Sequence, residues 1–149
     1  MKLIAHRGLT SGPNSNLENQ PDQIMFALNQ GYDCEIDLWI LDNQYYLGHD
    51  APTYKIDWSF LEKQGLWIHA KNIEALYVLG VNNKLNFFWH QEDYFTLTSH
   101  GYIWTYPGNL LTKNSISVLP EWQDPELKNL DLNCYGICSD YILKIKENL

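Results

Sequence analysis

The stretch CEIDLWILDNQYYLGHD, residues 34–50, decides how this chain is read. Cys34 to Ile40 is apolar and aromatic enough to form a strand. Asn43 and Gln44 then make a turn into Tyr45 to Gly48, a small hairpin extension that ends in His49 and Asp50. Side chains alternate along a strand, so Glu35 and Asp37 project from one face about 7 Å apart. Two carboxylates pointing the same way within a sheet repel and desolvate each other, which is costly unless a cation joins them. A divalent ion with oxygen ligands is the economical explanation. Trp39 shares their parity and is placed to wall the same site.

Outward from this stretch, short β-like runs alternate with helical ones. Lys2 to Ala5 reads as a strand, and Pro21 opens a helix that runs to about Gln30 and stops at Gly31. Downstream, Ile56 to Lys63 reads as a short helix, Leu66 to Ala70 as strand, Asn72 to Leu79 as helix and Leu85 to Trp89 as strand. Glu92 to Leu97 reads as a helical turn, followed by strands at Tyr102 to Thr105, Ser115 to Leu119 and Tyr135 to Ser139, then a last helix from about Tyr141 to Glu147. Roughly seven strands separated by short helices imply an α/β fold with parallel winding. The pattern alone admits a flavodoxin-like open sheet or a barrel, and the length favours the sheet, because eight-fold barrels usually need about 200 residues or more. No repeat or linker divides the 149 residues, so one domain over 1–149 is expected.

In such a winding, polar residues at the C-terminal ends of strands face the ligand site. The first strand ends in His6-Arg7-Gly8, the second carries Glu35 and Asp37, the third carries His69 and Lys71, and the hairpin ends in His49-Asp50. A single acidic residue at a strand end is usually a cap or a salt bridge, but four reactive groups on adjacent strands are a pocket. Imidazoles exchange protons near neutral pH, and Arg7 can grip a phosphate through its planar fork. Gly8 removes a side chain where backbone would approach that ligand. His90, after Phe87-Phe88-Trp89, is placed to touch substrate at the same mouth. The turn Tyr106-Pro107-Gly108 is placed to stack on a leaving group. Trp67, Trp89, Trp104 and Cys138 read as packing, and His100 as a loop residue.

These motifs resemble the glycerophosphodiester phosphodiesterase family, barrel phosphodiesterases related to the phosphatidylinositol-specific phospholipases C. The resemblance lies in Ala5-His6-Arg7-Gly8, Leu17-Glu18-Asn19-Gln20, Glu35-Ile36-Asp37 and His49-Asp50, in that order, with weaker support from Lys71 and Gly136-Ile137-Cys138-Ser139-Asp140. It implies a shortened TIM-type (β/α) barrel with parallel strands and a hairpin after the second. It implies His6 and His49 as the acid/base pair, Arg7 and Lys71 as phosphate ligands, and Glu35 and Asp37 as metal ligands. Glu18, Asn19 and Asp50 would support these groups from behind. The family carries a carboxylate where this chain has His69, so the third ligand is expected to be an imidazole. Mg, Ca or Mn is the expected ion, with Zn admitted by that nitrogen. Relatives are also longer, so the site is expected to be more open or completed by a second subunit of a homo-oligomer. The implied activity is hydrolysis of a small glycerol- or sugar-linked phosphodiester. The alternatives are a lyase that stops at a cyclic phosphate and a non-catalytic sugar-phosphate-binding module.

Composition narrows the partners. A net charge of −8 argues against nucleic acid or an anionic membrane, each of which needs a basic face. The opening MKLIAHRG is too short for a signal peptide, and no stretch reaches the roughly 20 apolar residues of a membrane span. Cys34, Cys134 and Cys138 are odd in number and lack framework spacing, as expected of reduced thiols in a cytoplasmic protein. Zinc at Cys134 and Cys138 would need a second pair, so packing is their expected role. Six Trp and ten Tyr exceed what a small core needs and suit a cleft that stacks on flat ligands.

Overall fold

Buried Ile4 and Ala5 make Lys2–Ala5 the central strand of the fold, seen in a computed structural model that describes residues 1–82 and 84–149. In chain order the elements are β1 (Lys2–Ala5), α1 (Pro21–Asn29), β2 (Asp33–Leu41), β3 (Gln44–Leu47), β4 (Tyr54–Ile56), α2 (Trp58–Leu61), β5 (Leu66–Ala70), α3 (Ile73–Gly80), β6 (Phe87–Phe88), β7 (Phe95–Leu97), β8 (Ile103–Thr105), β9 (Ser115–Val118), β10 (Gly136–Ser139) and α4 (Ile142–Asn148). Pairing runs β6-β5-β2-β1-β10-β9-β8-β7, parallel except for β7, which lies antiparallel on β8. From β2 an antiparallel extension of β3 and β4 leaves the main path.

The sheet curls into a half-barrel of mostly strands and few helices, rather than the full alternation that the sequence predicts. Among the described residues, the connections from β6 to β8, β8 to β9 and β9 to β10 hold no α-helix. Pro107, Gly108, Pro120 and Pro125 punctuate these segments and deny them a continuous helical hydrogen-bond ladder. Across the open side, the Ser99 N–H donates to the Phe87 carbonyl (2.8 Å) and the Phe87 N–H to Ser99 Oγ (2.9 Å). Phe88 of β6 also stacks on Trp104 of β8, with ring centroids 4.5 Å apart.

Strand alternation separates two apolar clusters. On the outer face Ala5, Cys34, Ile36, Leu38 and Ile68 pack against Ile24 and Ala27 of α1, Leu61 of α2, Ala75 and Leu79 of α3, and Ile142 and Ile145 of α4. On the inner face Ile4, Trp67, Phe88, Trp104, Ile116, Val118 and Cys138 fill the curl. The site lies above this inner cluster, at the strand ends. No helix among the described residues is long and apolar enough to cross a membrane.

Several local expectations change. Glu92 to Leu97 is not a helical turn: β7 occupies its end, and Thr96 Oγ1 donates to the Trp89 carbonyl. Phe-Thr-Leu favours a strand through its β-branched and aromatic residues, and the turn through Gly101 (φ 84°) folds it back onto β8. The helix expected from Ile56 is four residues long, because Ile56 ends β4 instead. The strand expected over Leu85 to Trp89 is two residues long. The hairpin turn sits at Asp42 and Asn43, both with positive φ, as a two-residue loop between right-twisted strands requires.

Candidate active site

β1 runs directly into a short turn over His6–Gly8, in which Arg7 adopts a left-handed φ of 52°. Such a conformation is strained for arginine and persists because its neighbours over-determine it. The Arg7 N–H donates to Glu35 Oε2 (3.1 Å), and the Arg7 carbonyl accepts from the Asn19 N–H (2.9 Å). Gly8 follows at φ 79°, where a Cβ would meet Ile24 Cγ1 of α1 at 3.0 Å. Only glycine fits both the dihedral and the space, so the turn of His6 and Arg7 is pinned against α1.

β2 lies between β1 and β5 and supplies the acidic floor. Parallel register sets Asp37 opposite His69. Asn19, fully buried, holds Asp37 at both ends: its Nδ2 donates to Asp37 Oδ2 (2.8 Å) and its Oδ1 accepts from the Asp37 N–H (2.9 Å). Glu18 accepts from Arg7 Nη1 at 2.8 Å, and Arg7 Nε lies 3.4 Å from Asp37 Oδ2. Lys71 Nζ lies 3.5 Å from Asp37 Oδ1. Burial alone would raise Asp37, but His69, Lys71 and Arg7 around it hold it well below the usual carboxylate range. Burial, reinforced by the charge of Asp37, pushes Glu35 the other way, above its ordinary value.

Glu35, Asp37 and His69 each offer one ligand atom, all within 4.8 Å of one another. The imidazole of His69 tests whether they fit a metal ion. His69 Nε2 lies 2.9 Å from the His90 carbonyl, which can only accept, so Nε2 carries the hydrogen. Nδ1 then points at Asp37 Oδ1 from 3.0 Å, and that oxygen is buried without a hydrogen-bond donor. Two acceptors this close need a proton or a cation between them. With metal–ligand bonds of about 2.1 Å, adjacent ligands of an octahedral ion stand about 3.0 Å apart. A ligating histidine whose second nitrogen donates to a backbone carbonyl is also the usual supporting arrangement. The donor set therefore fits a divalent ion.

His6 and His49 come to this centre from different elements. His6 Nδ1 is 2.8 Å from Asp140 Oδ1 at the end of β10, and its Nε2 lies 3.9 Å from Glu35 Oε2. Burial lowers the His6 pKa, but the Asp140 hydrogen bond and the charge of Glu35 outweigh it and leave the ring above the ordinary imidazole value. His49 Nδ1 lies 2.7 Å from Asp50 Oδ1, and the Asp50 side chain is exposed. Burial and the charge of Arg7 hold His49 below the ordinary value.

His6, Arg7, Glu35, Asp37, His49, His69, Lys71 and His90 all line one cavity of about 290 Å³. Tyr106 and Trp122 form its aromatic side, and Trp104, read from sequence as packing alone, also reaches it from the inner cluster. Trp39 departs from expectation. Its indole N–H donates to the Gly48 carbonyl (2.7 Å), so it braces the His49 loop and does not wall the cavity. β2 pairs with β5 only as far as Leu38 and from there turns out with β3, which carries Trp39 away from the floor.

Sequence reasoning missed Asp140 as the partner of His6, although its strand-end position after Gly136 to Ser139 was visible. It also missed Glu121 and Trp122, which follow a break at Pro120 and carry no periodic signal. The cysteines are unpaired: Cys138 packs in the inner cluster and Cys134 against the outer one, so they share no site. Burial pushes the thiols of Cys34 and Cys138 far up, which leaves them poor nucleophiles. No protein-family model matches the chain, and no curated protein or solved structure matches it either.

Proposed function

We propose that this chain is a metal-dependent phosphodiesterase acting on a small glycerol- or sugar-linked phosphodiester, with His6 and His49 as its acid/base pair. The supporting observation is convergence: two imidazoles, two fixed cations and a metal-fitting triad carried by β2 and β5 line the same cavity. We further propose that the fold is a reduced (β/α) barrel of the glycerophosphodiester phosphodiesterase type. The seven parallel strands follow chain order around the curl, with β7 beside β8 in place of an eighth.

The residues divide the work as follows. Arg7 and Lys71 neutralise the phosphoryl oxygens and orient the phosphorus. Glu35, Asp37 and His69 would hold a divalent ion (Mg, Ca, Mn or Zn), which would supply Lewis-acid stabilisation of charge on the phosphoryl group. A substrate hydroxyl beside the phosphodiester attacks phosphorus and gives its proton to one histidine. The bond from phosphorus to the leaving alcohol breaks, and the other histidine protonates the departing oxygen. Water then opens the cyclic ester with the two roles reversed. Asp140 and Asp50 occupy the Nδ1 atoms, so each ring presents Nε2 to the reaction. Glu18 steadies Arg7, Asn19 steadies Asp37, and His90 lines the cavity as a substrate contact.

The test is hydrolysis of a panel of glycerol and sugar phosphodiesters and bis(4-nitrophenyl) phosphate, with each of Mg²⁺, Mn²⁺, Ca²⁺ and Zn²⁺ and with chelator. Turnover that needs a divalent ion and falls about 10²–10⁴-fold in His6→Ala and in His49→Ala is the expected result. Accumulation of cyclic phosphate identifies the lyase variant. Absence of turnover under every ion overturns the enzyme reading, and thermal stabilisation by the same esters would then identify a sugar-phosphate binder.

A further inference from the structure

Glu121 is a buried carboxylate that the proposed chemistry leaves unused. It lies in the turn Pro120–Trp122, only 8% exposed, just after Leu119, whose φ of 45° is strained for a branched residue. That strain turns the chain inward, while the Leu119 N–H donates to the Cys138 carbonyl (2.7 Å) and ties the turn to β10. Glu121 Oε1 accepts two hydrogen bonds, from the Ser139 hydroxyl (2.9 Å) and from the Asp140 N–H (3.0 Å). Ser139 Oγ in turn accepts from the Tyr141 N–H at 2.9 Å. The last strand residue and the residue that touches His6 thus share one acceptor, and the entry to α4 is linked to it through Ser139. Among the described residues, Glu121 Oε2 is buried with no hydrogen-bond partner, so every hydrogen bond of the carboxylate is made through Oε1.

We propose that Glu121 is a positioning residue, whose carboxylate fixes the Ser139–Asp140 turn and thereby keeps the Asp140 side chain on His6 Nδ1. Asp140 Oδ1 reaches His6 at 2.8 Å from the first position after β10, where a small backbone rotation would swing it away. With Asp140 in place, Nδ1 of His6 carries the hydrogen and Nε2 faces Glu35 and the cavity. Without it, either nitrogen can hold the proton, and the ring loses its orientation. The proposal rests on the phosphodiesterase reading only for its kinetic consequence; the geometry of His6 is measurable whether or not the protein turns over any ester.

The experiment is an NMR comparison of wild type, Glu121→Ala and Glu121→Gln, following the ring Nδ1 proton of His6, assigned by its disappearance in His6→Gln. In wild type the Asp140 hydrogen bond is expected to protect it from solvent exchange. Glu121→Ala is expected to lose that protection. Glu121→Gln, which retains an acceptor oxygen, is expected to recover most of it. The kinetic arm expects kcat to fall about 10–100-fold in Glu121→Ala with KM little changed, the range for a partner behind a functional histidine. If Glu121→Ala does not fold, Glu121→Asp draws the carboxylate back by one methylene and must expose the same proton. An unchanged His6 signal in whichever folded variant lacks the contact overturns the proposal. An inactive wild type with the expected NMR pattern sinks the phosphodiesterase reading and leaves the positioning role standing.

Discussion

His69 Nδ1 stands 3.0 Å from Asp37 Oδ1, while its other ring nitrogen is committed to the His90 carbonyl. One nitrogen and one oxygen donor are thereby aimed at the same point, in a register set by β5 lying parallel to β2. Nitrogen in this position favours transition-metal ions over Ca²⁺. Calorimetric titration is expected to show Mn²⁺ or Zn²⁺ bound more tightly than Ca²⁺. His69→Ala is expected to weaken that binding about 10–100-fold, and His69→Asp to shift preference toward Mg²⁺ and Ca²⁺. Equal affinity of wild type and His69→Ala for all four ions would remove His69 from the ligand set.

Asn19 serves Asp37 through both ends of its amide, at full burial and with a φ of 58° that few residues other than glycine adopt cheaply. Asn19→Ala leaves the Asp37 N–H and one carboxylate oxygen without their partner. A loss of about 2–4 kcal/mol in denaturant-unfolding stability is expected. A loss no larger than that of an ordinary surface substitution would show that water replaces the amide.

Trp39 acts on His49 through the Gly48 carbonyl, at a glycine whose φ is 152°. Trp39→Phe keeps the ring and removes the donor. Stability is expected to fall by about 1 kcal/mol. On the proposed reading, kcat falls several-fold while KM holds, because the loop carries a proton-transfer group. A rise in KM alone would instead make Trp39 a substrate contact.

Burial raises the Glu121 carboxyl above its ordinary value, so the fold favours its protonated form. The stabilisation from this group is fully present below the unfolded carboxyl pKa and is lost as pH climbs through the higher folded one. Glu121→Gln does not titrate. Its stability relative to wild type should therefore improve as pH climbs from the unfolded carboxyl pKa through the higher folded one, and level off above it. Parallel stability–pH curves for the two proteins would show that the carboxyl is not perturbed.

The cluster was legible in the sequence because His6, Arg7, His69 and Lys71 lie at or near the ends of parallel strands, Glu35 and Asp37 share one face of β2, and His49 follows the hairpin where the resemblance places a histidine. Glu35 and Asp37 obey that alternation; Trp39 breaks it because β2 changes partners after Leu38. The helical turn expected over Glu92 to Leu97 was over-read, since Phe95 to Leu97 is too short a window to separate a helical period from a strand one, whereas the last helix stands as expected. Asp140 and Glu121 were hidden for another reason. The strand end marked Asp140 as a candidate, but which distant segment lies beside either residue is information no local pattern carries.

The bond between His6 and Asp140 joins residues 134 positions apart in the chain. Contacts of such span close late in folding, after the intervening loop entropy has been overcome. During synthesis, His6 leaves the ribosome 134 residues ahead of Asp140 and waits for β10 before its ring has a fixed orientation. A nascent or prematurely ended chain can thus bury much of the outer core and still leave the His6 ring without a fixed orientation. Assembly of this site reports that the sheet has curled far enough to set its last strand beside its first.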